Sequence, residues 1–268
     1  MYKAVFIDID GTLIKSDHTI SADTYAVVQK LKEKNILVIL VSARPLTGIL
    51  PIMEEIGLLS YPVAGLNGAY IVADGMIIFD SIIDVNTTTL VREQVQKYNA
   101  TLIYYEQSQW FAEFRNFYTD YEQKITSVPV TIQSFTDTLR HWQHKNAGPN
   151  KIHVIAKADV INEIQNKLQQ QFINHLNTST SKSTYLEVVN IEASKLNAVR
   201  LLIDHYNIKR EETIAIGDNF NDKEMIEFAG TGIAMGNAPG EIKAIANYVT
   251  DTNNKDGVSK ALRKFMDL

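Results

Sequence analysis

The stretch Ala4-Val5-Phe6-Ile7-Asp8-Ile9-Asp10-Gly11-Thr12-Leu13 joins an apolar run to two acids that are separated by a single residue. The apolar run predicts a buried strand, and the strand ends where the acids begin. Open α/β sheets bind their ligands outside the carboxyl ends of their strands, so the two carboxylates lie where chemistry is expected. Gly11 permits an unusual backbone turn at this point, and Thr12 adds a hydroxyl.

These two carboxylates form a candidate catalytic pair. Asp8 and Asp10 repel each other unless a cation lies between them or one of them is protonated. One carboxylate can attack as a nucleophile while the other gives and takes a proton. A strand that ends in an ordinary acidic turn would explain the same residues, so the interpretation depends on the rest of the chain.

The composition is that of an ordinary globular protein and excludes several classes of function. The 268 residues suffice for one large domain or two modest ones, and 45% of them are hydrophobic. A net charge of -5 argues against a nucleic-acid partner, because phosphate backbones require clustered Lys and Arg. The absence of cysteine excludes disulfides, thiolate metal sites and cysteine nucleophiles.

The location is expected to be cytoplasmic. The chain begins directly with a strand pattern, without a charged leader. No stretch approaches the roughly 20 apolar residues that a membrane span needs, so no membrane partner is expected. We expect a monomer or a weak dimer.

Strand and helix patterns alternate at both ends of the chain, while the middle has a different character. Early strands such as Ile36–Val41 are continuously apolar, as is typical of a parallel sheet covered on both faces. We therefore predict an α/β fold: a doubly wound, Rossmann-like parallel-sheet core of residues 1–82 and 190–268, with an inserted α+β domain of residues 83–189. Within the insert, the polar tract Asn177–Thr184 is expected to be a loop or turn.

Three further pieces follow in an order that suits phosphate chemistry. Ser42 comes directly after a buried strand, where its hydroxyl can donate to a phosphoryl oxygen, although a helix N-cap would explain it equally. Lys195 opens a helix, where an anion would offset its unfavourable position in the helix dipole, although a solvated lysine is the simpler explanation. The stretch 217–222, Gly-Asp-Asn-Phe-Asn-Asp, places two more acids after a buried strand, a pattern that commonly holds a hard cation.

Together these pieces predict a phosphoryl-transfer site. Magnesium bridging Asp8, Asp10 and Asp218 would relieve their repulsion and neutralise charge on a phosphoryl group. Asp8 could then attack phosphorus and form an aspartyl phosphate. Asp10 would protonate the leaving alkoxide and would next deprotonate the water that hydrolyses the intermediate.

On these motifs the chain resembles the haloacid dehalogenase superfamily of phosphatases, and within it the Cof-type hydrolases. The resemblance rests on residues 8–13, Ser42, Lys195 and residues 217–222, and the insert matches the cap domain of that family in size and position. Asn67-Gly68-Ala69, Gly236-Asn237-Ala238 and residues 254–258 add to it. Two departures are Ser42-Ala43-Arg44 in place of Thr-Gly-Arg and Lys195-Leu196 in place of Lys-Gly, and neither removes a catalytic group.

The resemblance implies a role for each matching residue. It makes Asp8 the nucleophile and a metal ligand, and it makes Asp10 the general acid/base, which binds the metal through its backbone carbonyl. It makes Asp218 a further magnesium ligand, with Asp222 supporting the metal site from behind. Phosphate binding is assigned to four residues: Thr12, Ser42, Lys195 and Asn221.

The expected function is a magnesium-dependent phosphatase that acts on small phosphorylated metabolites, for example sugar phosphates, through an aspartyl-phosphate intermediate. One alternative is a phosphomutase with the same intermediate, but mutases of the superfamily generally carry a cap between Thr12 and Ser42, where this chain has little more than one helix. Another alternative is a non-catalytic module that binds a phospho-ligand. Four aromatic residues of the insert are expected in its core, with a substrate pocket as the second possibility: Tyr104, Tyr105, Trp110 and Phe111.

Overall fold

The computed structural model describes residues 1–126 and 128–266 and contains two separate β-sheets. The larger sheet has eight strands in the order β14-β13-β12-β1-β2-β3-β4-β5. Its strands are β1 Ala4–Ile7, β2 Leu37–Val41, β3 Val63–Gly65, β4 Tyr70–Ala73, β5 Met76–Asp80, β12 Thr213–Gly217, β13 Thr231–Ala234 and β14 Tyr248–Val249. All neighbours from β14 to β3 run parallel, and the β4–β5 hairpin adds an antiparallel edge.

Helices cover both faces of this sheet, as the continuously apolar strands predicted. Residues that alternate along each strand face opposite layers, so Val5 and Ile7 pack on one side while Ala4 and Phe6 pack on the other. The first layer contains α1 Ala22–Glu33, α2 Leu46–Glu55 and α10 Gly257–Met266, and the second contains α7 Lys195–His205 and α8 Lys223–Phe228. The short α9 Gly240–Ile245 packs near the β13 edge. This arrangement confirms the predicted doubly wound core.

The smaller sheet belongs to the insert and has the order β10-β11-β9-β6-β7-β8. Its strands are β6 Thr101–Glu106, β7 Gln109–Ala112, β8 Thr131–Ile132, β9 Lys151–Ile155, β10 Leu176–Lys182 and β11 Tyr185–Asn190. Three helices pack on one face, namely α3 Val85–Val95, α5 Phe135–Lys145 and α6 Ala158–Gln171, while α4 Phe117–Thr126 lies at the other. The inserted α+β cap is therefore confirmed as part of the fold, while its boundaries at residues 82 and 190 remain a prediction.

One local expectation was wrong. The polar tract Asn177–Thr184 was expected to be a loop or turn, but most of it forms β10, which pairs with β11 in antiparallel register. Its Thr and Ser side chains are only partly buried, because β10 is the edge strand of the sheet. Alternating hydroxyl-bearing residues can therefore form a strand without an apolar pattern.

In the part of the chain that the structure describes, no helix is both long and apolar enough to cross a membrane.

Candidate active site

Three neighbouring strands deliver the predicted residues to one edge of the core sheet. In the parallel register Ile7 lies beside both Ile216 of β12 and Leu40 of β2. The residues that follow these strands, including Asp8, Ser42 and Asp218, therefore emerge side by side at the carboxyl edge. The backbone N–H of Asp8 donates to the Ile216 carbonyl at 3.0 Å, which continues the sheet up to the carboxylate.

The turn after Asp8 is shaped to receive the Asp218 carboxylate. Gly11 has a φ of +83°, and a Cβ there would overlap Asp218, so a larger residue would disturb both the turn and the carboxylate. Thr12 Oγ1 donates to Asp218 Oδ1 at 3.3 Å, and Asn237 Nδ2 donates to Asp218 Oδ2 at 3.1 Å. The Thr12 hydroxyl, which we assigned to phosphate, is therefore engaged with Asp218 in this structure.

Lys195 lies between two carboxylates at the start of α7. Its side chain is buried, and its Nζ is 2.6 Å from Asp8 Oδ1 and 2.5 Å from Asp222 Oδ1. Ser194 caps the helix by accepting from the Asn197 N–H at 3.0 Å, which fixes the position from which Lys195 extends. The two carboxylates supply the anion expected to offset the position of Lys195 in the helix dipole.

Burial dominates the electrostatics of the cluster. Burial raises the pKa of Asp8 well above its usual range, the Lys195 ammonium opposes this shift, and Asp222 and Asp218 add to it. Burial followed by the charge of Asp222 raises the pKa of Asp218 to about 7. Burial alone would lower the pKa of Lys195, but its two carboxylate partners raise it above the usual range. One ammonium accompanies three carboxylates that are buried or partly buried, so the cluster favours a further cation.

The donor set fits a divalent metal ion. One carboxylate oxygen from each of Asp8, Asp218 and Asp222 lies within 4.8 Å of the others. Carboxylate oxygens suit hard cations such as Mg²⁺. Asp222 differs from the other two, because its Oδ2 accepts from the N–H groups of Asp218 and Asn219, both at 3.0 Å, while its Oδ1 faces Lys195. Both of its oxygens are thus occupied by protein donors, as suits a residue that supports the site from behind.

The Asp10 carboxylate is not part of this group of three and is paired with Arg44 instead. Arg44 binds it with both ends of the guanidinium, with Nε 2.7 Å from Oδ2 and Nη2 2.6 Å from Oδ1. The Arg44 N–H donates to Ser42 Oγ at 3.1 Å, so the segment 42–44 connects the Ser42 hydroxyl to the partner of Asp10. The helix after Ser42 begins only at Leu46, and the alternative of a helix N-cap at Ser42 is therefore wrong.

The cap closes over the cluster and leaves a cavity of about 350 Å³ between the two sheets. The core lines it with residues that include Asp8, Ser42 and Asp218. The cap lines it with Tyr105, Glu122, Lys151, His153, Ser181, Lys182, Tyr185 and Glu187. Lys151 Nζ donates to the Ala43 carbonyl at 2.6 Å, and Asn219 Nδ2 donates to the Ser181 carbonyl at 3.3 Å, so the cap contacts the core next to Ser42 and Asp218.

Comparison with known proteins identifies the family. Residues 5–262 match the family model of haloacid dehalogenase-like hydrolases, and the chain belongs to that family. It is 37% identical to a provisionally assigned phosphatase of Haemophilus influenzae over 98% of both chains, and 27% identical to a 5-amino-6-(5-phospho-D-ribitylamino)uracil phosphatase of Bacillus subtilis over 98% of this chain and 97% of that one. The crystal structure of a haloacid dehalogenase-like hydrolase from Bacteroides thetaiotaomicron matches with a TM-score of 0.87 at 25% identity, over 99% of this chain and 100% of that one.

The sequence alone did not indicate a role for several residues of the site. Arg44, Asn67 and Asn237 stood in quoted motifs without a role, and their contacts appear only in three dimensions. The cap residues Lys151 and His153 carried a detectable signal, because they alternate with Ile152 and Val154 in a strand that is buried along its length. Polar residues at every second position of such a strand indicate a face that lines a site.

The four aromatic residues of the insert were expected in its core, with a substrate pocket as the second possibility. All four are buried, as expected for core residues, and Tyr105 also lines the cavity.

Proposed function

We propose that the protein is a magnesium-dependent phosphatase that hydrolyses small phosphorylated metabolites through an aspartyl phosphate on Asp8. The proposal rests chiefly on the position of the Asp8 carboxylate, which is buried at the floor of the cavity, paired with Lys195 and placed beside Asp218. A nucleophile with a cation on one side and metal ligands on the other is suited to approach an anionic phosphoryl group.

The residues of the chain divide the reaction between them. Asp8 and Asp218 would hold the magnesium ion, together with the backbone carbonyl of Asp10, and the bound ion would neutralise charge on the phosphoryl oxygens. Lys195 keeps a positive charge beside Asp8 throughout, since the pKa of its ammonium is raised. Asp8 attacks phosphorus, the bond to the leaving oxygen breaks, and a water molecule later hydrolyses the aspartyl phosphate.

Asp10 is the proposed general acid and base. It would protonate the leaving oxygen and then take a proton from the attacking water. Because Arg44 occupies both of its carboxylate oxygens in this structure, at least one of them must be released before a proton can move. Ser42, Asn221 and Thr12 are the other proposed phosphate contacts, and the Thr12 hydroxyl would have to turn from Asp218 to take part.

The small volume of the cavity favours a compact substrate. A volume of about 350 Å³ is near the lower end of ligand pockets and suits a phosphorylated metabolite rather than a protein. The polar cap wall suits a hydroxylated leaving group such as a sugar, and the Bacillus subtilis relative is named for a phosphorylated ribityl compound. We expect the protein to act in the cytoplasm.

The test is turnover of a generic aryl phosphate with and without magnesium. Activity should require Mg²⁺ and should be lost when Ca²⁺ replaces it, because the larger ion takes more ligands at longer distances. Hydrolysis of a chirally labelled thiophosphate ester in ¹⁸O-water should retain the configuration at phosphorus, because the attack by Asp8 and the later attack by water each invert it. Full activity after exhaustive chelation would refute the metal assignment, and inversion of configuration at phosphorus would refute the covalent intermediate. Binding of phosphate without turnover would identify a binding module instead.

A further inference from the structure

The segment Leu66–Gly68 lies where the catalytic loops meet the cap. Three successive residues have left-handed backbone conformations, with φ of 52° at Leu66, 58° at Asn67 and 83° at Gly68. Left-handed conformations are costly for residues other than glycine and are retained where the surroundings impose them. A Cβ at Gly68 would overlap the Ser194 carbonyl, so the segment is pressed against the start of α7.

Backbone hydrogen bonds tie this segment to the proposed phosphate loop. The Leu66 N–H donates to the Arg44 carbonyl and the Asn67 N–H donates to the Ser42 carbonyl, both at 2.9 Å. Asn67 is buried. Its side chain therefore has to find its partners within the protein.

The Asn67 amide connects the cap to Asn221. Its Nδ2 donates to Glu187 Oε2 of the cap strand β11, and its Oδ1 accepts from Asn221 Nδ2 at 3.1 Å. Glu187 is buried and is held in turn by Ser181 Oγ at 3.2 Å, with Lys151 Nζ 3.7 Å away. A chain of two amides thus joins a carboxylate of the cap to a residue of the proposed phosphate site.

The chain of hydrogen bonds from Asn221 through Asn67 to Glu187 can run in only one direction. An ionised carboxylate can only accept, so Glu187 requires Asn67 to present its NH₂ group. Asn67 must then present its oxygen to Asn221, and Asn221 must present its NH₂ group in return. An amide NH₂ has two hydrogens, so Asn221 keeps a second donor for a phosphoryl oxygen. Without Glu187 both amides could rotate by half a turn, which would place an acceptor where the phosphate needs a donor.

We propose that Asn67 is a positioning residue through which Glu187 of the docked cap fixes the Asn221 amide in its phosphate-donating orientation. The inference rests on the proposed function in that Asn221 contacts phosphate. Docking of the cap and affinity for the phosphoryl group are then coupled. The phosphate site is completed only when the cap is in place.

A pair of complementary substitutions tests the direction of the chain. Glu187→Gln removes the acceptor-only group that orients both amides. Asn67→Asp keeps an acceptor for Asn221 but sets a second carboxylate against Glu187, which opposes docking of the cap, and Asp tolerates the left-handed backbone as Asn does. The double variant Asn67→Asp/Glu187→Gln restores a donor in the cap and an acceptor at position 67, and it keeps the wild-type net charge. The Asp at position 67 can again accept from Asn221. Two residues that act independently would lose affinity additively, whereas the proposed pairing of Asn67 with Glu187 predicts rescue.

The readout is the affinity for inorganic phosphate, measured by calorimetry with Mg²⁺ present. Each single variant should bind roughly tenfold more weakly, the equivalent of one lost hydrogen bond to a charged group. The double variant should recover to within about threefold of wild type. Glu163→Gln, an exposed cap substitution, is the matched control and should bind as wild type does.

The outcomes separate this inference from the proposed function. Additive losses in the double variant would overturn the inference. If Asn67→Asp fails to fold, the single variant Glu187→Gln decides. An unchanged phosphate affinity in Glu187→Gln would overturn the inference, and a tenfold loss that is absent from Glu163→Gln would support it. Rescue of phosphate binding in a protein that hydrolyses no phosphate ester would refute the proposed function and leave the coupling intact. A wild-type protein that binds no phosphate would overturn both.

Discussion

His153, in the cap wall of the cavity, should make the protein sensitive to acid. Burial lowers the pKa of this imidazole well below 6.5, and the charges of Lys151 and Lys182 lower it further. Neither ring nitrogen has a hydrogen-bond partner among residues 1–126 and 128–266. The ring packs edge-on against Tyr185, with 4.8 Å between ring centroids. It is therefore neutral in the folded protein at and below neutral pH.

The sign and size of the effect of pH on the free energy of unfolding follow from proton linkage. Below pH 6.5 the unfolded state takes up a proton on His153 and the folded state does not, so the free energy of unfolding falls as the pH falls. The loss reaches about 1.4 kcal/mol per pH unit and amounts to about 2 kcal/mol between pH 7.5 and pH 5. The loss of stability stops growing only when the pH falls below the lowered pKa of His153 in the folded state. His153→Phe removes the titrating group and should remove this part of the pH dependence. It should also leave the protein at least as stable at pH 7.5, because two unpaired buried polar atoms are lost.

Urea unfolding at pH 7.5 and pH 5.0, followed by tryptophan fluorescence, measures the effect directly. The chain has two tryptophans, Trp110 and Trp142, and both are buried in the cap, so the signal reports the unfolding of the part that contains His153. Gln143→Phe, at an exposed and non-titrating cap position, controls for the added aromatic ring. A stability difference between His153→Phe and wild type that stays the same at both pH values would refute a neutral, buried His153.

Three further predictions concern the catalytic cluster and the cap. Asp8→Asn should abolish turnover while the metal-free stability holds or rises, because it removes one of several mutually repelling carboxylates; activity equal to wild type would rule out Asp8 as nucleophile. Asp222→Asn should destabilise the metal-free protein by about 3–5 kcal/mol in urea unfolding, because an amide cannot accept from Lys195 and two N–H groups at once; a loss below about 1 kcal/mol would contradict its supporting role. Exchanging residues 83–189 for the insert of a relative with another specificity should transfer the substrate preference, as judged by kcat/KM over a panel of phosphorylated metabolites; a preference that stays with the core would refute the role of the cap.

The core of the fold could be predicted because its signals are local. Apolar strands followed by acids or hydroxyls, such as Ile7-Asp8 and Val41-Ser42, mark the carboxyl edge of a parallel sheet without any knowledge of long-range contacts. The strand β10 was missed for a physical reason. It lies at the edge of its sheet, half exposed, where Ser and Thr are tolerated, so no apolar alternation marks it.

For the candidate site, too, the local features could be predicted and the long-range contacts could not. The sequence indicates which residue types reach the sheet edge, but it does not show which partner each one meets. The Arg44–Asp10 pair spans 34 positions and the Asn67–Glu187 bond spans 120. Each contact joins segments that only the folded chain brings together. The pairing of Asp10 with Arg44 and the link from Asn67 to the cap could therefore not be predicted from motifs alone.

These long-range contacts give the cap a chemical role in addition to a steric one. Lys151 reaches the Ala43 carbonyl between Ser42 and Arg44, and Glu187 reaches Asn67, so the docked cap contacts both segments that flank the proposed phosphate. The Lys151 and Glu187 side chains are both buried and carry opposite charges. The free-energy cost of burying these two charges is lowest when both approach each other and the core together. If the cap lifts, two buried charges return to water while Asn67 and the carbonyl lose their partners at the same time. Docking should therefore be cooperative, and the ordering of the phosphate loops should follow it as one step.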